Sequence, residues 1–277
     1  VLAARPSVGK TAFSLNIAAN AALYQKKRVL IFSLEMAKEQ LVQRLLCMVG
    51  RIDSERLRSG YLAGQEFQKV HEAAPLLDKA AIFIDETPGI SVLELRSKAR
   101  RHAAQHGVDL VIIDYMQLMT AGTRAENRQV EISAISRSIK GLARELRVPV
   151  IALSQLSREA EKDDSGMPKL AHLRESGAIE QDADVVMILY RPPASEREGR
   201  DNLVRLNIAK QRNGPTGMVE LLFEKNIQRF GQLVEGKVEA EPEPPPDAAS
   251  PASAAAASAD FDAANYEDVY EEDDTPF

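Results

Sequence analysis

Ala4-Arg5-Pro6-Ser7-Val8-Gly9-Lys10-Thr11 ends in the Gly-Lys-Thr of a phosphate-binding loop and begins with alanine where the general pattern G-x-x-x-x-G-K-[ST] has glycine. In such a loop consecutive backbone N–H groups turn inward toward the β- and γ-phosphates of a nucleoside triphosphate such as ATP. The lysine adds a point charge and the hydroxyl faces Mg²⁺. Arg5, Pro6, Ser7, Val8, Gly9, Lys10 and Thr11 are therefore the candidate nucleotide-contacting residues, with Thr11 a candidate metal ligand. The competing reading is a chance Gly-Lys-Thr in a turn. Ala12 to Tyr24 reads as a helix whose positive end faces the same anion.

Outward from the loop, short β-branched runs alternate with longer helical patterns. Arg28 to Ser33 reads as a strand, Lys38 to Cys47 and Gln65 to Leu77 as helices, Ala81 to Asp85 as a strand and Val92 to His106 as a helix. Val108 to Asp114, Pro149 to Ser154 and Asp184 to Tyr190 continue as strands, with a long helix over Asn127 to Leu146. Val111-Ile112-Ile113 and Val150-Ile151-Ala152-Leu153 are continuous apolar runs, the mark of strands buried on both faces, so the expected fold is α/β with a mainly parallel sheet covered by helices. Leu203 to Lys210, Thr216 to Phe223 and Ile227 to Leu233 are separated only by short turns such as Asn213-Gly214-Pro215, which predicts C-terminal antiparallel strands at one edge.

The net charge of −6 conceals an uneven distribution. Residues 239 to 277 hold 12 acidic residues and no Lys or Arg, leaving 29 acidic against 35 basic residues in positions 1 to 238, a net of +6. The body is mildly basic and suited to phosphate-bearing partners. The tail is Pro/Ala-rich from Pro242 to Ala259 with no large apolar side chain before Phe261, so it cannot bury a core. The expected organisation is a folded domain over 1–235 and a disordered tail over 236–277. The opening Val1-Leu2-Ala3 has no initiator methionine and leaves only a stub of strand ahead of the loop, so an upstream part is expected. No apolar run approaches the ~18 residues of a membrane span, nothing resembles a signal peptide, and Cys47 is the single cysteine, all of which suits a cytoplasmic chain.

Ligands of parallel sheets bind at the carboxyl ends of the strands. Asp114 closes an apolar strand, the position of a carboxylate that supports Mg²⁺, or alternatively of a turn aspartate. Glu35 ends the run Val29 to Leu34 and can polarise an attacking water, or else serve as a first-turn acid of the next helix. Gln155 can sense a γ-phosphate or be a simple polar strand end. Lys210 and Arg212, two residues apart on a strand, face the same side and suit one anion; decoration of a solvated edge strand is the alternative. Arg174-Glu175-Ser176-Gly177, and the loop Thr120 to Arg128 with Gly122, Arg124 and Arg128, are candidates for contact with a nucleic-acid backbone.

These blocks resemble, in order and spacing, the DnaB-type replicative DNA helicases: the loop at 4–11, Ser33-Leu34-Glu35-Met36, Ile113-Asp114-Tyr115-Met116-Gln117-Leu118, Leu153 to Arg158, Leu173 to Asp184 and Ala209 to Gly217. The resemblance covers residues 1 to about 233. It implies a RecA-like P-loop NTPase that assembles as a homo-hexamer with ATP between subunits. It further implies that Lys10 and Thr11 hold phosphate and Mg²⁺, Asp114 supports the metal, Glu35 activates water and Gln155 senses the γ-phosphate. Lys210 and Arg212 then match a pair supplied in trans to the neighbour's γ-phosphate, and Arg174, Glu175 and Gly177 match positions that grip single-stranded DNA. In this family Ala4 is an accepted variant of the first glycine. Primase and a helicase loader are partners of full-length members, through an N-terminal part that this chain does not contain, and the implied direction of travel is 5′ to 3′. The last residues, Glu271 to Phe277, resemble the acidic tip of bacterial single-stranded DNA-binding proteins and suggest docking of a replisome partner through Phe277. A RecA-type recombinase forming open filaments shares the loop and the metal acid, and a non-catalytic nucleotide-binding module shares the loop alone.

Overall fold

The computed structural model describes residues 1–122, 126–161, 167–173, 177–197, 199–234 and 237–238. In chain order the elements are β1 (Leu2–Ala4), α1 (Lys10–Leu23), β2 (Val29–Ser33), α2 (Lys38–Gly50), α3 (Ser54–Ser59), α4 (Gly64–Lys79), β3 (Ile82–Asp85) and α5 (Val92–His106). There follow β4 (Leu110–Asp114), α6 (Arg128–Leu146), β5 (Val150–Gln155), α7 (Gly177–Asp182), β6 (Val185–Tyr190), β7 (Leu203–Gln211), β8 (Gly217–Glu224), β9 (Arg229–Val234) and β10 (Lys237–Val238).

All the strands join one sheet in the order β10-β9-β8-β7-β6-β1-β5-β4-β2-β3. From β3 to β6 every pairing is parallel; from β6 to β10 every pairing is antiparallel. The expected mixed sheet therefore forms. β10 carries the pairing past the expected boundary at residue 235, because a two-residue ladder on β9 needs backbone hydrogen bonds and no core of its own.

Both faces of the parallel part are buried, with strict alternation. Val29 and Ile31 of β2 and Leu110 and Ile112 of β4 join Leu15, Ala18 and Ala19 of α1 and Leu41 and Leu45 of α2. Leu30 and Phe32, with Val111 and Ile113, join Leu95 and Ala99 of α5 and Ile132, Ile135 and Leu142 of α6 on the other side. Each of the Val, Leu, Ile and Phe side chains, fully buried, contributes about 1.5–3 kcal/mol, and this two-sided burial is why the strands read as unbroken apolar runs.

Helix boundaries have local causes. Ser91 accepts from the Glu94 N–H at 3.2 Å, and Asn127 from the Val130 N–H at 2.9 Å, so α5 and α6 begin where a side-chain oxygen satisfies an open backbone donor. The short α3 is capped in the same way by Asp53, which accepts from Glu55 and Arg56. α1 is different. Its N-cap, Gly9, has no side chain to cap with, and the first turn holds no acid, which leaves a positive helix end open to a ligand.

Candidate active site

The topology brings four strand ends side by side. β1, β5, β4 and β2 are neighbours in the sheet, so the loop after Ala4, Gln155, Asp114 and Glu35 line up along one edge although more than a hundred residues separate some of them. Ala4 pairs with Gln155, and Ser33, two residues before Glu35, pairs with Asp114. Over these ends lies a cavity of 410 Å³ bordered by every residue of the loop from Ala4 to Thr11 except Val8, by Glu35 and Gln155, and by Tyr115, Arg44 and Phe223.

The loop explains its own composition. Ala4 is the last residue of β1, buried and extended, and needs no left-handed backbone. Glycine is required instead at Gly9, whose φ is +109°; a Cβ there would lie 3.0 Å from the rings of both Phe223 and Phe230. These two rings stack at 4.3 Å, and Phe13 meets Phe230 edge-on at 5.1 Å, so the wall behind the loop is rigid. Arg5 borders the cavity and donates to the Leu156 carbonyl at 2.8 Å.

Asp114 is 3% exposed at the end of β4. The Thr11 hydroxyl donates to its Oδ2 at 2.6 Å, and the Lys10 ammonium stands 3.5 Å from its Oδ1. Oδ1 is buried and accepts no hydrogen bond. An orphaned carboxylate oxygen beside a hydroxyl fits Mg²⁺, which takes one or two carboxylate or hydroxyl ligands from a protein and the rest from water and phosphate. No cluster of three or more His, Cys, Asp or Glu that could hold a metal occurs among the described residues.

Burial pushes the Lys10 ammonium below the ordinary lysine range, against the pull of Asp114 and Glu35. The same burial, opposed by the same two carboxylates, lowers Arg44. Tyr115 lies under Lys10, with the ammonium 4.2 Å from the ring centroid, and burial, then Glu35 and Asp114, raises its phenol. A desolvated cation beside two carboxylates gains strongly from an incoming polyphosphate.

Glu35 is exposed and precedes α2 by three residues, and the first-turn acid of that helix is Glu39, so Glu35 is not a helix-dipole partner. β7 lies between β6 and β8, but its pairing with β8 ends at Ile208, so Lys210 pairs only with Val186 of β6 and Arg212 follows the end of the strand. Both reach the C-terminal carbonyls of α7: Lys210 donates to Glu180 and Ala183, the latter at 2.8 Å, and Arg212 to Gln181, with Asp184 at 3.7 Å from its guanidinium. Neither borders the cavity.

Of the expected nucleic-acid contacts, Gly177 is exposed at the start of α7. Arg128 is half-buried at the start of α6, where it donates to the Gln117 and Met119 carbonyls and pairs with Glu131. Arg124, Arg174, Glu175 and the acidic tail with Phe277 lie outside the described residues. The sequence reading missed Tyr115, Arg44 and Phe223 as cavity walls. Tyr115 was signalled by adjacency to Asp114; Arg44 and Phe223 carry no local signal, since only packing turns them to the loop. No helix among the described residues is long and apolar enough to cross a membrane.

Residues 1–232 match the family model described as DnaB-like helicase C terminal domain. Replicative DNA helicase DnaB of Geobacillus stearothermophilus is 49% identical over 243 residues, 87% of this chain and 54% of that protein. Replicative DNA helicase DnaC of Bacillus subtilis (strain 168) is 50% identical over 235 residues, 84% of this chain and 52% of that protein. The chain thus spans about half the length of the curated relatives it matches. Among solved structures, an isolated ATPase domain superposes with a TM-score of 0.79 at 39% identity, covering 84% of each chain. A DnaB-like replicative helicase, studied with its interactions with primase, superposes with a TM-score of 0.78 at 40% identity, covering 83% of this chain and 56% of that one. A phosphate loop, a metal-type aspartate and a strand-end glutamate on this sheet, with a matching family model over nearly all the described residues, place the chain in one family: it belongs to the DnaB-like helicase C terminal domains.

Proposed function

We propose that this chain is the ATP-hydrolysing motor of a replicative DNA helicase, working as a homo-hexameric ring that travels 5′ to 3′ on single-stranded DNA and opens the duplex at a fork. The observation that carries the reading is the row of strand ends: Lys10, Thr11, Gln155 and Glu35 border one cavity, with Asp114 buried behind Thr11 and Lys10, while the cations Lys210 and Arg212 lie away from it, bonded to carbonyls at the end of α7.

In this reading the loop N–H groups, Lys10 and the open end of α1 bind the β- and γ-phosphates of ATP. Thr11 and Asp114 would hold Mg²⁺, which would offset the charge that builds up on the phosphates during transfer. Glu35 orients the attacking water and accepts its proton, and Gln155 hydrogen-bonds the γ-phosphate. Lys210 and Arg212 leave the α7 carbonyls for a neighbouring subunit's nucleotide; such a contribution is worth about 10³–10⁵ in rate. Arg124, Arg128, Arg174, Glu175 and Gly177 face the DNA strand in the ring channel, contacting backbone rather than bases, which suits a motor indifferent to sequence. In the longer protein, primase and a loader are the expected partners, and the acidic Pro-Phe tip docks a replisome protein. The acting compartment is the cytoplasm.

The test is ATP turnover across protein concentration, with and without single-stranded DNA. Turnover per subunit is expected to rise cooperatively with concentration and to be stimulated by DNA. Glu35→Gln is expected to lower turnover by at least about 10² while ATP still binds. A rate per subunit that is independent of concentration, or a Glu35→Gln chain with unchanged turnover, overturns the shared-site mechanism.

A further inference from the structure

Gln117 stands one step behind the cavity. It lies in the short 3-10 turn Met116–Leu118 that follows Asp114 and Tyr115, and it does not border the cavity itself. Its side-chain amide donates to Ser154 Oγ at 2.8 Å and, more weakly, to the Gln155 carbonyl at 3.4 Å, while its Oε1 accepts from the Gln155 backbone N–H at 3.3 Å. Ser154 is 0% exposed, so no water replaces the amide if it is lost.

The main chain of the same residue is held from the opposite direction. Arg128 donates to the Gln117 carbonyl and, at 3.5 Å, to the Met119 carbonyl, and it pairs with Glu131; Glu131 accepts from the Ala121 N–H at 3.1 Å. Two side chains from the first turn of α6 therefore clamp the segment from Gln117 to Ala121. Through one amide that clamp reaches the end of β5. The Ala121 N–H, then Arg128, against the opposing effect of burial, hold the Glu131 carboxyl below the usual carboxylate range, so it accepts both bonds as an anion.

We propose that Gln117 is a positioning residue that makes the Gln155 strand end and the first turn of α6 move as one body, so that an event at either end is felt at the other. The inference rests on the motor reading above, in which Gln155 meets the γ-phosphate and the segment leading into α6 faces DNA. A displacement of Gln155 without Gln117 leaves a buried hydroxyl and a backbone N–H without the Gln117 amide; a displacement of Gln117 without α6 breaks the bond from Arg128 to the Gln117 carbonyl. The low-cost motion is the concerted one. Gln117 touches no reacting atom and acts only through the backbone of Gln155.

Gln117→Met keeps length and removes every side-chain hydrogen bond. Turnover number and KM for ATP, with and without saturating single-stranded DNA, are measured for the whole chain together with DNA affinity. The ratio of DNA-stimulated to basal turnover is expected to fall about three- to thirtyfold, with KM and DNA affinity changed less than that ratio. Gln117→Glu, which still accepts from the Gln155 N–H, is expected to recover part of it. Should Gln117→Met fail to fold, Glu131→Gln weakens the far end of the bridge and is expected to lower the same ratio. An unchanged ratio in whichever variant folds, or a fall explained wholly by KM or DNA affinity, overturns the inference while leaving the motor reading intact. A wild-type chain that DNA does not stimulate at all sinks both.

Discussion

Gly9 and Ala4, the two ends of the phosphate loop pattern, have opposite requirements. Gly9 needs a backbone that L-residues rarely adopt and faces two stacked phenyl rings, whereas Ala4 is an ordinary buried strand residue. Gly9→Ala is therefore expected to destabilise the chain by roughly 1–3 kcal/mol and to weaken ATP binding. Ala4→Gly, which restores the general pattern, is expected to leave ATP binding unchanged and to cost about 0.5–1 kcal/mol of stability, because glycine loses more entropy in a strand. Thermal melting with and without a non-hydrolysable ATP analogue separates the two; a Gly9→Ala chain that melts and binds like wild type would remove the steric account. A pattern match alone ranks the two positions as equals, and the folded backbone reverses that. The meeting of Lys10, Thr11 and Asp114 at neighbouring strand ends was legible from sequence because it depends on residue type next to a strand. Tyr115 and Phe223 were not, since an aromatic side chain at a strand end reads the same whether it packs in the core or borders a ligand.

At the scale of elements, helices long enough to show a 3.6-residue period were found with their ends within a few residues. α3 and α7 have six residues each, fewer than two turns, and no periodicity marks them. The edge strand β3 carries a pH-sensitive contact that pattern reading also passed over. Phe83 meets His102 of α5 at 4.4 Å between centroids and His106 at 5.5 Å, and His102 Nε2 is buried without a hydrogen bond. Burial, then His106, lowers the His102 pKa from its ordinary 6.5. The unfolded chain thus binds a proton at a pH where the folded chain does not, and stability rises with pH across that window. The melting temperature is expected to fall as pH drops from neutrality through 6.5 to below the folded value. His102→Leu is expected to flatten that part of the profile; an identical slope in wild type and variant would remove His102 as the cause.

For the whole molecule, the decisive feature is the division of the proposed catalytic set. Glu35 borders the cavity of its own chain, while Lys210 and Arg212 hold α7. If those cations serve a neighbour, Glu35→Gln chains and chains carrying Lys210→Ala with Arg212→Ala are each nearly inactive, the second by about 10³ or more. Mixed together they are expected to regain part of wild-type turnover, because some interfaces then pair an intact Glu35 with intact cations. A mixture no more active than its parts, measured at a concentration where wild type is assembled, would place both groups in one subunit's chemistry.

The sequence by itself determined the alternation of strands and helices, the two-sided burial of the parallel strands, the antiparallel C-terminal run and the residue types at the strand ends. All of these follow from local periodicity and from the fixed geometry of a peptide beside a phosphate. Only the tertiary structure decided that β1, β5, β4 and β2 stand in that spatial order, which sets Gln155 between the loop and Asp114. It also decided that β7 is interior, that Lys210 and Arg212 close on α7, and that Gln117 links β5 to α6. The physical reason is the same in each case: strand neighbours and side-chain bridges are made between residues far apart in the chain, chosen by how whole faces pack, and no short window of sequence carries that information.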